Sequence, residues 1–121
     1  MSRRRVVITG MGIISPVGNT VSESWNNIID GNSGVSPITK FDTKDFDTKF
    51  AATVNFNPEE YLNKKEIRRV DEFIQFGLIA SDQCVIDSGL NLEVEDLNRI
   101  GVSIGSGIGG LRTIEENKLL L

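Results

Sequence analysis

The chain has 121 residues and a formal net charge of −4, with 39% apolar and 25% charged side chains. That is the make-up of one ordinary globular domain; no apolar run approaches the ~18–20 residues of a membrane helix, and the acidic balance argues against broad nucleic-acid binding. Histidine is absent and cysteine occurs once, which excludes a His-ligated metal, a Ser-His or Cys-His nucleophile pair, a multi-cysteine zinc motif and an intrachain disulfide.

Arg3, Arg4 and Arg5 form a basic start, read as a solvated flank and not as a targeting arm, because residues 6–18 lack an apolar signal core. A lone cysteine and no export signal point to a cytosolic setting. Residues 5–9, with Val6, Val7 and Ile8, read as a buried strand closed by Gly10. Thr20, with Glu23 three residues on, predicts a capped helix start, and the helix carries Val21, Trp25, Ile28 and Ile29 on one face and stops at Gly31. Residues 32–48 read as one long polar loop, and residues 50–54 as a weak edge strand. Asn57 and Pro58 open a short helical turn.

The strongest helix is expected over residues 64–88. Ile67, Val70, Ile74, Leu78, Ser81 and Val85 recur at helical spacing, with Phe73, Phe76, Ala80 and Cys84 widening the stripe until burial on more than one side is expected. Gly89 ends it. Residues 92–97 read as another helical piece, residues 100–104 as a strand, residues 105–110 as a glycine-rich turn, and a last helix starts near Leu111. Leu119, Leu120 and Leu121 would leave apolar surface bare, and few strands face many turns, so the chain reads as the N-terminal part of something longer.

Three features could carry chemistry. Gly10 and Gly12 follow a strand, but Ser15 and Pro16 stand where a dinucleotide-binding turn needs a third glycine and an immediate helix. Gly105, Gly107 and Gly110 do fit that spacing and open a helix. Close packing, a ligand-lining role and phosphate binding all remain open there. Cys84 lies on the apolar stripe without a cationic neighbour, as an inert thiol does. Lys64, Lys65, Arg68 and Arg69 crowd the N-terminal end of the long helix, where cations oppose the macrodipole. In an acidic protein that cluster points to an anionic partner; a solvated face laced with ion pairs is the alternative.

Taken in order, four stretches resemble the start of a β-ketoacyl-acyl-carrier-protein synthase of the condensing-enzyme family, nearest to its type II branch. They are residues 6–19 (Val6 through Gly10, Gly12, Pro16, Gly18 and Asn19), the loop from Gly31 and Gly34 to Phe41 and Asp42, the run Arg68 to Gln75, and the turn Ile104 to Gly110. The resemblance implies an α/β, thiolase-like fold, layered helix, sheet, helix, sheet, helix in the intact enzyme and incomplete here. Residues 1–121 would be the N-terminal part of its first half, with no complete second domain.

It implies an acyltransferase of fatty-acid elongation, a homodimer that joins an acyl group to malonyl-carrier protein with loss of carbon dioxide. The family's cysteine nucleophile and two histidines are not in this stretch, so no catalytic residue, metal or cofactor is expected here, and the segment alone is expected to be inactive. By the same resemblance Ile108, beside Gly107, lines and gates the acyl pocket. Lys64, Lys65, Arg68 and Arg69 dock the acyl carrier protein. The partners implied are that carrier, acyl and malonyl thioesters and a second copy, with neither nucleic acid nor membrane. A polyketide-type ketosynthase, a Rossmann-like nucleotide-binding enzyme and a non-catalytic interaction domain are the alternatives.

Overall fold

Hydrogen-bonding side chains at the helix ends decide much of the architecture. The computed structural model describes residues 3–120. They form two units, one of Ile13–Phe56, the other joining the stretch up to Gly12 to everything from Asn57 onward.

In the Ile13–Phe56 unit, helix α1 spans Val21–Ile29. Thr20 Oγ1 accepts the Glu23 N–H at 3.2 Å, and the Glu23 carboxylate accepts the Asn19 N–H at 2.7 Å, so the expected cap is present. Gly31 takes the left-handed conformation, φ 71°, just past the helix. The buried face of α1 is not the apolar one. Ser24 is buried and donates to the Gly18 carbonyl at 3.1 Å, and Asn27 donates to the Val17 carbonyl at 2.7 Å. The turn at Ser15–Gly18 lies against the helix with carbonyls that need donors, so polar residues face it. Trp25, Ile28 and Ile29 are exposed.

Residues 32–48 are not one loop. Strand β1, Val35–Pro37, pairs antiparallel with β2, Phe50–Ala52, placing Val35 opposite Ala52 and Pro37 opposite Phe50. Ile38 donates to the Lys49 carbonyl at 2.9 Å and extends the ladder past the proline. Pro37, lacking an N–H, is tolerated in a two-stranded ladder with no further strand on either edge among the described residues. Phe41 and Phe46 meet edge-on in the connection, 5.6 Å between ring centres.

In the other unit, the predicted helix over 64–88 is two helices, α2 at Lys64–Ile67 and α3 at Glu72–Ser88. Asn63 and Glu66 form a reciprocal capping box around α2, and Asp71 is the N-cap of α3. The buried Gln75 amide donates to the Ile67 and Val70 carbonyls at 3.3 and 3.1 Å, which satisfies groups that the break would otherwise leave bare. Gly89, φ 66°, ends α3 as expected. The expected stripe is only half-covered. Ile79 is the one fully buried apolar side chain among the described residues, while Leu78 and Ile86 are exposed.

Residues 5–9, expected as a buried strand, are exposed, and neither they nor residues 100–104 pair as a strand among the described residues. A β-rich stretch becomes a strand only when a neighbour takes its N–H and C=O groups. The piece predicted over 92–97 is a turn followed by a short 3-10 segment at Leu97–Arg99. Helix α4 runs Leu111–Leu119, as expected, with Leu119 and Leu120 exposed; Leu121 lies outside the described residues. No helix among the described residues is long and apolar enough to cross a membrane.

Candidate functional site

The basic side chains sit differently from the expectation. Lys64 and Lys65 occupy the four-residue α2, and Arg68 is its C-cap, where a cation complements the helix dipole. The cluster therefore does not crowd the start of one long helix. What survives is its lack of neutralisation. Lys64, Lys65, Arg68 and Arg69 are all exposed. Lys64 reaches Glu59 at 3.7 Å, whereas Lys65, Arg68 and Arg69 have no ion-pair partner among the described residues. Glu66, the carboxylate inside the segment, accepts from the Asn63 N–H at 3.1 Å as part of the capping box. The ion-pair lacing of a solvated face is thus reduced to one loose pair.

The second glycine turn leads from residues 100–104 into α4. A Cβ placed on Gly105 or Gly107 would meet nothing within 4 Å, and Ile108 between these glycines and α4 is 71% exposed. Gly109 is left-handed, φ 80°, and donates to Ser106 Oγ at 3.1 Å. Gly110 lies against the Asp71 carboxylate, which also accepts the Thr113 hydroxyl proton. A phosphate bound at the start of α4 would face the negative charge of that carboxylate. The turn is therefore packed at Gly109 and Gly110 and open at Gly105 and Gly107.

The first pair is closed. A Cβ on Gly10 would lie 2.6 Å from Ser88 N, and one on Gly12 2.9 Å from Cys84 N, so backbone meets the α3 backbone. The Met11 N–H donates to Asp87 at 2.9 Å, and the half-buried Cys84 thiol donates to the Gly10 carbonyl at 3.3 Å. No room is left for a pyrophosphate, and the thiol is engaged, as expected of an inert cysteine. Asp71 and Gln75 stand in the Arg68–Gln75 run, but their roles, an N-cap and a donor to the carbonyls at the helix break, are not read there. Asp71 could have been found, because an aspartate just before Glu72 is an N-cap signal inside an apparently continuous stripe.

Residues 3–120 match the model of the β-ketoacyl synthase N-terminal domain. The chain belongs to the β-ketoacyl synthase family. It is 54% identical over 116 residues to the 3-oxoacyl-[acyl-carrier-protein] synthase 2 of Vibrio cholerae, covering 95% of this chain and 28% of that protein. The enzymes of the same name from Coxiella burnetii and Staphylococcus aureus strain COL are 49% and 45% identical, over 97% and 93% of this chain and 28% and 27% of theirs. The chain thus spans a little over a quarter of these synthases. Among solved structures, the ishigamide ketosynthase/chain length factor superposes with a TM-score of 0.76 at 30% identity, covering 98% of this chain and 30% of that one. A ketosynthase in complex with its type II polyketide acyl-carrier protein gives 0.70, also at 30% identity, over 97% and 30% of the two chains. The expected thiolase-like α/β class stands: the segment has the fold of the ketosynthase N-terminal region.

Proposed function

We propose that this chain is the N-terminal part of the first thiolase-like half of a 3-oxoacyl-[acyl-carrier-protein] synthase. The enzyme extends an acyl group by decarboxylative condensation with malonyl-carrier protein, and residues 64–69 dock the carrier. The observation that carries this is the unneutralised charge: three exposed cations with no ion-pair partner among the described residues, on a chain of net charge −4. An acidic carrier protein supplies the missing counter-charge. In support, one superposing ketosynthase was solved with its acyl-carrier protein. Identities of 45–54% to fatty-acid-type synthases against 30% to polyketide-type structures favour the former.

Gly107 and Ile108 line the acyl pocket in this reading. Gly107 has no neighbour where a side chain would be, so an acyl chain can approach its backbone closely. The family's nucleophile and histidines lie outside these 121 residues, so the enzyme's acyl-thioester chemistry is completed elsewhere. It works as a homodimer in the cytoplasm and without a cofactor.

The test is Arg68→Glu with Arg69→Glu in the full-length enzyme. Reversing two docking contacts is expected to raise KM for carrier-linked substrates ~5- to 150-fold, the equivalent of ~1–3 kcal/mol, with little change for pantetheine-linked ones. The penalty shrinks as salt rises, because exposed charges are screened over about 8 Å at physiological ionic strength. Equal damage to both substrate types would mean that the cluster serves the fold and not the carrier.

A further inference from the structure

Asp71 stands two residues after Arg69 and caps α3, yet makes no side-chain bond to its own helix. An N-cap aspartate ordinarily takes an N–H of the turn it begins. Here the carboxylate reaches to a different helix. It accepts the Thr113 hydroxyl proton in the first turn of α4 and lies against Gly110, the N-cap residue of that helix, which has no capping side chain of its own. Asp71 thus places negative charge at the N-terminal end of α4, the end that favours it.

The glycine turn has one further contact with the same place. A Cβ on Gly109 would sit 3.9 Å from Phe73 Cζ, in the first turn of α3. On its other side, Ile104 Cγ2 would lie 3.9 Å from a Cβ on Gly77. Between those fixed points Gly105, Gly107 and Ile108 have no such restraint. The turn is a short free limb held at both ends on α3, and the end nearer Ile108 is held by Asp71, two residues beyond the basic segment.

We propose that Asp71 is a positioning residue that clamps the glycine turn bearing Ile108 to the basic segment, so that occupation of Arg68 and Arg69 is transmitted to the acyl gate. This rests on the docking and pocket roles proposed above. The path is short: Arg69, Val70, Asp71, then across to Gly110 and back two residues to Ile108. A shift of the backbone at Arg69 moves the clamp directly, and the unrestrained limb carries the motion.

The test uses the full-length enzyme with Asp71→Asn, Thr113→Val and Thr113→Ser. Thr113→Val removes the donor at an exposed position and keeps the side chain's shape, so it serves if Asp71→Asn fails to fold. Amide hydrogen exchange over residues 105–110 is expected to quicken at least threefold in Asp71→Asn and Thr113→Val, and to stay at the parent rate in Thr113→Ser. Exchange unchanged in all variants would overturn the clamp. Turnover on carrier-linked primers is expected to change its long-to-short ratio at least threefold in the first two variants, with KM for the carrier substrate unchanged. A uniform loss across primer lengths would reduce Asp71 to a structural role and overturn the proposal. A parent enzyme with no condensing activity would defeat the proposed function alone, and the exchange arm would still decide the clamp.

Discussion

Two glycine clusters that look alike in sequence do opposite things. Gly10 and Gly12 are pressed against the backbone of α3, where no side chain fits. Gly105 and Gly107 face open space, where a side chain would meet nothing. In the first cluster the missing Cβ is a steric need of the fold; in the second it leaves room for something that is not part of this chain's packing. A glycine-rich turn therefore carries no meaning until the atoms around its absent side chains are known.

The hardest blow to that contrast is Gly12→Ala in the full-length protein. The added methyl has backbone atoms of Ala80 and Cys84 in its way, and backbone does not yield as a flexible side chain does. Overpacking of this kind costs about 3 kcal/mol, the upper end for a small-to-large change. A scanning melt is expected to drop by roughly 5 °C or more, and an unchanged melting temperature would break the comparison.

Next in size is Ile108→Phe, which enlarges the one apolar side chain on the open limb. If Ile108 lines the proposed acyl pocket, crowding it by that much is expected to slow long acyl primers about 5- to 150-fold while sparing short ones and the melting temperature. If Ile108 were packed into the fold, a lowered melt and an equal loss at every primer length would follow instead. The smallest effect belongs to Gly107→Ala. Its Cβ has nothing within 4 Å and its φ is not positive, so stability is expected to move by no more than ~0.5 kcal/mol. A shift as large as that of Gly12→Ala would erase the distinction between the two clusters.

These two clusters also mark what was legible. Ends of helices were readable, because Thr20 with Glu23 and Gly89 act through bonds local in sequence. The family was readable because four motifs stood in register. The break at residues 68–71 was not, because the apolar repeat runs through it. Asp71 is extended and begins a new helix, and its carboxylate is committed 42 positions away at Thr113, a contact that no local repeat displays. Which side of α1 packs was not legible for a similar reason. The hydrophobic pattern named Trp25, Ile28 and Ile29, but the adjoining turn presents carbonyls, and Ser24 and Asn27 were needed to meet them. The basic cluster was found as composition, while the lack of ion pairs at Lys65, Arg68 and Arg69 among the described residues goes with Glu66 and Asp71 spending oxygens elsewhere.

That outward face of α1 turns the molecule into its own optical gauge. Trp25 is the only tryptophan of the chain, and it stands in water on a helix whose opposite side is tied down by Ser24 and Asn27. An indole surrounded by water emits at longer wavelength than one that is covered, because relaxing solvent dipoles lower its excited state. Light from Trp25 therefore reports, without any added label, the moment another surface closes over that side of the helix.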